Sequence, residues 1–378
     1  MNQTITVEDI AEFGKGEYFL EVNNNVGQNW YFPYKNIRKY RSIFRPSSLA
    51  GKLAYQVMPF IKHLRFILPY LKMRRVRLKL KESITEKIKD SLQGQNFTFA
   101  IFCGSPGKHQ KLTLMIRVKG RIAGYCKISD NPQVVDIFRK EKDALIYLNN
   151  RNVRMLPKVL MLCKADDTSN IWMYMQSTEQ EDNATYPTIN NKEIFDYILD
   201  IQEKCISTTK YHDTEYYNDI CRLKELYPLH LDSETGTILK HCIDEIEDEL
   251  GKEKALFTFA HGDFTPWNSF LTSKGVFAFD FEYCCMTYPF FYDVFHFYTQ
   301  SCIYDRNMEC KAIYKEYITL KRETLSKYIE TDKCDFYYKC YLLGIIGFYL
   351  SRDNGILNKR LEECFKIWIG LINNITNG

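Results

Sequence analysis

Residues 257–283 read FTFAHGDFTPWNSFLTSKGVFAFDFEY. Phe257 to Ala260 is a short apolar lead-in. His261-Gly262-Asp263 then sets a carboxylate at a bend that glycine relaxes, and Pro266 stops a helix from starting there. Asp263 is therefore expected on a loop. Two apolar stretches, 269–272 and 276–281, flank Ser273-Lys274-Gly275, the composition of a three-residue hairpin loop closed by a left-handed glycine. With Thr272 and Val276 bounding that loop, Asn268 falls opposite Asp280, their Cβ atoms roughly 5 Å apart.

Upstream, the chain is strand-like. Phe97 to Phe102 and Leu112 to Val118 are joined by Cys103-Gly104-Ser105-Pro106-Gly107-Lys108. The glycines permit a tight turn, and they also let amide groups approach a phosphate. Arg121 to Ile128 carries Lys127 among apolar neighbours, a helix is expected over about 133–148 with Glu141 on it, and Val159 to Leu162 and Ile171 to Met175 read as further strands. An antiparallel sheet with one inserted helix results. The polar stretch 178–191 marks a boundary, beyond which 192–205, 235–250, 292–302, 311–329, 336–350 and 361–372 have helical length or periodicity. The expected fold class is α+β, divided into a basic extension (1–90), a sheet-rich part (91–176) and a mainly helical part (177–378).

One hairpin thus brings an amide oxygen and a carboxylate beside a loop carboxylate, a donor set that suits Mg²⁺, which takes a few protein oxygens and completes its shell with water and phosphate. Taken singly, Asp263 and Asn268 could merely cap turns, and Asp280 and Glu282 could face solvent; together, at these spacings, they point to phosphoryl transfer. His261-Gly262-Asp263 with Asn268, followed by Asp280 in Phe279-Asp280-Phe281-Glu282, resembles the signature of the aminoglycoside phosphotransferase and choline kinase group of protein-kinase-like enzymes. The sharp motif spans about 25 residues, and the order of strand, lysine, helix and glutamate upstream agrees with it over roughly residues 91–378.

The resemblance implies a bilobal protein-kinase-like fold and an ATP- and Mg²⁺-dependent transfer to a hydroxyl of a small molecule. Carried over residue by residue, it makes Asp263 the catalytic base, with Asn268 and Asp280 as the Mg²⁺ ligands. Lys127 becomes the phosphate-binding lysine and Glu141 its helix partner. The loop with Gly104, Ser105 and Gly107 covers the phosphates, and Met173 to Met175 and Gln176 form the hinge that meets adenine. It further implies that His261 orients the loop, that Asp293 braces it, and that Glu282 assists a second metal. The glycine loop lacks the GxGxxG pattern, and only about ten residues separate Asp280 from the next helix, which leaves no room for a long activation segment.

Composition sets the outer limits. The chain has 378 residues, 45% of them hydrophobic, enough for a full core. Its thirteen cysteines show no CxxC pairing, which argues against a zinc site or disulfide framework and for a reducing cytoplasm. The start MNQTITVEDIAEF lacks a basic segment followed by an apolar run, and no apolar run approaches the roughly 20 residues needed to span a bilayer. Charge is uneven: between Glu21 and Glu82 there is no acidic residue, while Lys and Arg occur fourteen times in 35–81, leaving the rest net acidic. Within this arm Val57, Phe60, Ile61, Leu64, Ile67, Leu68 and Leu71 recur at helical spacing between cations. That stripe suits packing on the next domain or peripheral contact with an anionic membrane at the inner face.

The acceptor is expected among the aromatic residues after Asp280, where rings stack on a sugar as readily as they fill a core. A sugar or glycan-precursor hydroxyl is the first expectation. The competing reading is a catalytically weak nucleotide-binding adaptor docked to a membrane assembly through its basic arm; nucleic-acid binding ranks below both, because the arm's aromatic residues fit an apolar docking face equally well.

Overall fold

A computed structural model describes residues 5–24, 27–44, 51, 53, 55, 56, 58, 60, 73–104, 107, 110–182, 184–251, 254–352 and 355–377. The chain forms two compact units, one of residues 1–147 and 156–184, the other of 148–155 and 185–378. It passes from the first to the second for good inside the polar stretch 178–191.

The first unit is built on an eight-stranded antiparallel sheet with β1 (Ala11–Asn23), β2 (Asn29–Pro33), β3 (Met73–Leu80), β4 (Thr98–Cys103), β5 (Leu112–Val118), β6 (Arg121–Ser129), β7 (Val159–Lys164) and β8 (Trp172–Ser177), in the order β3-β1-β2-β4-β5-β6-β8-β7. Because side chains alternate along a strand, each strand feeds two cores. Ile101, Leu114, Cys126 and Ile128 enter one, together with Ile84 and Ile88 of helix α1 (Glu82–Ser91); Ala100 and Met115 enter the other, with Trp30 and Phe32.

The expectation of a separate extension over 1–90 is corrected here. Strands β1, β2 and β3 belong to the same sheet as β4 to β8, with β2 pairing to β4 through Asn29–Cys103, Trp30–Phe102 and Tyr31–Ile101. The cations that made the segment look like an arm are in part exposed side chains of an edge strand: Arg75, Arg77 and Lys79 share the face opposite buried Leu78 and Leu80, and Arg74 is exposed on the other. Arg75 lies over the Tyr18 ring at 3.5 Å, and Arg74 pairs with buried Glu21. The amphipathic helix expected over 57–71 falls largely outside the described residues.

Between β6 and β7 runs helix α2 (Pro132–Asn150), whose buried Val134, Phe138, Glu141, Leu145 and Leu148 recur at three- and four-residue steps and so share one face. Phe138 stacks on Tyr174 of β8 at 5.6 Å.

The second unit is mainly helical: α3 (Lys192–Lys204), α4 (Glu215–His230), α5 (Ser233–Leu250), α6 (Tyr292–Gln300), α7 (Cys310–Glu323), α8 (Thr331–Arg352) and α9 (Lys359–Asn377). Three short strands, β9 (Ser207–Lys210), β10 (Lys254–Ala260) and β13 (Cys285–Tyr288), form one small sheet, and β11 (Ser269–Thr272) with β12 (Gly275–Ala278) forms a hairpin. Every residue of α6 is buried. Gly344 of α8 allows that close packing, since a Cβ there would stand 2.8 Å from the Tyr292 ring. All thirteen cysteines are free thiols, and among the described residues no helix is long and apolar enough to cross a membrane.

Candidate active site

In the second unit the site begins where β10 ends. His261 is wholly buried; its Nε2 donates to the Phe279 carbonyl (3.0 Å) because its Nδ1 accepts the Asp263 amide (3.3 Å). Gly262 follows at φ +80°, and a Cβ at this position would lie 2.2 Å from the Tyr283 carbonyl oxygen. Only glycine fits, for reasons of both conformation and space. Asp293, at the start of α6, accepts the amides of His261 (2.7 Å, Oδ2) and Gly262 (3.1 Å, Oδ1). Its burial pushes its carboxyl pKa upward, against the pull of nearby His261 and those two hydrogen bonds.

This frame presents Asp263, whose side chain is 32% exposed, with one donor on each oxygen. Asn268 Nδ2 donates to Oδ2 at 2.7 Å and to the Asp263 carbonyl at 3.1 Å; His296 Nε2 meets Oδ1 at 3.1 Å. The Thr265–Pro266 step turns the chain so that a five-residue separation closes this contact, as the amide of Asn268 returns to the Thr265 carbonyl (3.1 Å). With its amide nitrogen committed to Asp263, Asn268 keeps Oδ1 as an oxygen that accepts no hydrogen bond among the described residues.

The hairpin differs from expectation by one residue. Thr272 pairs with Gly275 across a two-residue turn at Ser273 and Lys274, so Asn268 is set against Phe279, whose amide donates to the Asn268 carbonyl at 3.1 Å. Glycine closes either turn type; here the shorter one is taken, with Gly275 at φ +126°. Asp280 consequently lies one residue past the pairing, half-buried and in the left-handed region at φ 69°, where a non-glycine residue is unusual. The Tyr283 hydroxyl is raised in pKa first by burial and then by the charge of Glu282, with Arg352 opposing and Asp263 and Asp280 adding to the rise, so three carboxylates and one guanidinium bear on one phenol.

The donors suit a hard cation held by few protein oxygens: one amide oxygen and neighbouring carboxylates. Among the described residues no three His, Cys, Asp or Glu side chains form a metal-binding group, so a complete protein cage of the zinc type is not formed there.

In the first unit Lys127 and Glu141 meet. Nζ to Oε2 is 2.7 Å, with the residues 6% and 0% exposed, and Gln176 Nε2 approaches Glu141 Oε1 at 3.4 Å. Lys127 points away from the core filled by Cys126 and Ile128 and stands 6.0 Å from the centre of the Tyr174 ring. Gly104 donates its amide to Lys111 (3.3 Å), and Gly107 is exposed with open space where a Cβ would be; Ser105 lies outside the described residues.

The expected hinge is corrected. Met173 and Met175 are wholly buried in the sheet core, and β8 is paired on both sides, to β6 and to β7. Their backbone groups serve the ladder, so residues 173–176 are strand interior, and the strand ends at Ser177.

His296 was not singled out by its sequence surroundings, which are aromatic. A signal existed: it stands three residues after Asp293 on α6, a spacing that puts both on one helix face. Asp293 holds the backbone of 261–262 from that face, and His296 holds the side chain of Asp263.

No protein-family model matches the chain, and no curated protein matches it in sequence. Solved structures do resemble it. They include the GDP and kanamycin complex of APH(2")-IIia (13% identity, 78% of this chain and 99% of that one, TM-score 0.48). Aminoglycoside phosphotransferase APH(4)-Ia is another (11%, 78% and 97%, 0.48), as is amicoumacin kinase hAmiN with AMP-PNP, Ca²⁺ and amicoumacin (12%, 73% and 88%, 0.46). A likeness of this size carries no weight for the activity, which rests on the side chains themselves.

Proposed function

We propose that this chain is a kinase of small molecules, transferring the γ-phosphoryl group of ATP to a hydroxyl. The observation that carries the reading is the amide of Asn268, which pins the Asp263 carboxylate with its nitrogen and keeps its oxygen for a cation. Phosphoryl transfer demands positioning and charge neutralisation more than covalent chemistry. Asp263 accepts the hydroxyl proton on a lone pair left over beside its two donors. Asn268 and Asp280 would hold Mg²⁺, which neutralises phosphate charge when bound. Lys127, fixed by Glu141, would bind phosphate oxygens, with Gly104, Ser105 and Gly107 as the covering loop. Adenine would be met by backbone after Ser177.

For the acceptor, a sugar or glycan precursor is supported by Trp267, a half-buried ring next to Asn268 that meets Tyr304 edge-on at 6.0 Å. Thirteen cysteines without CxxC pairing favour a reducing, cytoplasmic setting. Peripheral contact with anionic lipid through residues 35–81 is supported by the exposed Arg74, Arg75, Arg77 and Lys79, each worth about 1 kcal/mol at such a surface.

The test is a phosphate-transfer screen with Mg-ATP and a panel of hydroxylated metabolites. Wild type is expected to convert a member of the panel, and ATP binding with no transfer to any acceptor would favour the adaptor reading instead.

A further inference from the structure

Resting on the phosphotransfer reading, we propose that His296 is a positioning residue that holds Asp263 as a neutral imidazole, donating from Nε2 and carrying no proton on Nδ1. Three observations converge. Nε2 lies 3.1 Å from Asp263 Oδ1; the side chain is 4% exposed; and Nδ1 is buried with no hydrogen-bond partner among the described residues. The ring is enclosed by aromatic faces, Tyr292 nearly parallel at 6.3 Å and Tyr341 edge-on at 5.5 Å, and the Tyr341 hydroxyl accepts from Gln300 Nε2 at 3.0 Å and makes no hydrogen bond to Nδ1.

These facts select the tautomer. A carboxylate oxygen requires a donor, so the proton belongs on Nε2. A second proton on Nδ1 would leave a buried cationic donor orphaned, which costs more than an unused lone pair. The imidazole therefore supplies one directed hydrogen bond and no net charge. Asp263 is held on both oxygens, by Asn268 on one side and His296 on the other, so its plane is fixed. Nor can His296 pass the substrate's proton onward, since its far nitrogen meets no acceptor: Asp263 itself stores the proton until product leaves.

Two measurements on the full-length protein test this. In the first, ¹⁵N spectra of the imidazoles should show two histidines as the Nε2–H tautomer, His261 and His296; the signal lost in His296→Gln is that of His296, its proton should be protected from exchange, and it should move in Asp263→Ala. An Nδ1–H tautomer, or a signal indifferent to Asp263→Ala, overturns the proposal whatever the enzyme's activity. In the second, on whichever acceptor is converted, His296→Leu should lower kcat by about 10- to 100-fold with both KM values within about twofold, the pattern of a misplaced catalytic group. His296→Gln, whose Nε2–H can reach the same oxygen, should recover most of the loss. A folded His296→Leu with wild-type kcat, or a Gln variant no better than Leu, sinks the inference and leaves the phosphotransfer reading standing if Asp263→Asn is inactive. Equal rates for Asp263→Asn and wild type would sink that reading instead.

Discussion

Two charged sites in this molecule are kept in place by opposite means. Lys127 and Glu141 are almost sealed from water in the first unit, where a strand and a helix supply the partners and apolar packing does the holding. Asp263 in the second unit is a third exposed and is held by hydrogen bonds from a loop, an amide and an imidazole. The difference teaches where stability and function separate: a buried ion pair is part of the fold's integrity, whereas a half-exposed carboxylate on a braced loop can be changed with little cost to folding.

The largest effect should come from unpairing the buried ions. Lys127→Met leaves Glu141 without its cation, with an expected loss of about 3–5 kcal/mol in urea unfolding; adding Glu141→Leu should restore most of it while nucleotide binding, followed by calorimetry, stays lost. If the double variant binds nucleotide normally, the pair is structural only. Next, Asp263→Asn should reduce transfer at least ~100-fold with the melting temperature nearly unchanged. A large fall in melting temperature would erase the contrast between the two sites.

Gly262→Ala should show both penalties, since the new Cβ meets the Tyr283 carbonyl at 2.2 Å and the backbone stands at φ +80°. About 2 kcal/mol of stability and most of the activity should go together. The smallest effect concerns Asp293. Burial raises its folded pKa above the ordinary 3.8, so the folded state prefers the protonated form. That contribution is complete below pH 3.8 and is lost as pH rises through the raised value. Wild type should therefore lose stability relative to Asp293→Asn on going upward from about pH 4. The opposite slope would mean that the His261 and Gly262 amides outweigh burial.

Much of this was legible because the relevant residues are locally patterned. β5 and β6 are short, largely apolar runs bounded by turns, α2 repeats its apolar face, and Asp263, Asn268 and Asp280 are separated only by turns whose chemistry glycine and proline announce. The turn at Ser273–Lys274 came out one residue short because Gly275 serves a two- or a three-residue loop equally well, and composition does not choose between them. Met173 and Met175 read as hinge from their order in the chain, but burial on both flanks of β8 is set by β6 and β7, which are distant in sequence. The three N-terminal strands were hidden for a similar reason: β1 carries a bulge between Phe13 and Glu17, and the cations of β3 mask its alternation. Helix α4 was missed over Pro228, which lies near its last turn.

The position of β3 at the rim of the sheet has its own consequence. An outermost strand offers hydrogen-bonding groups to any other extended chain, and the first sheet's rim would otherwise invite polymerisation. Guanidinium and ammonium groups at Arg74, Arg75, Arg77 and Lys79 repel a second copy brought up in register, so the same charges that read as an adhesive toward anions also act as a guard against self-stacking.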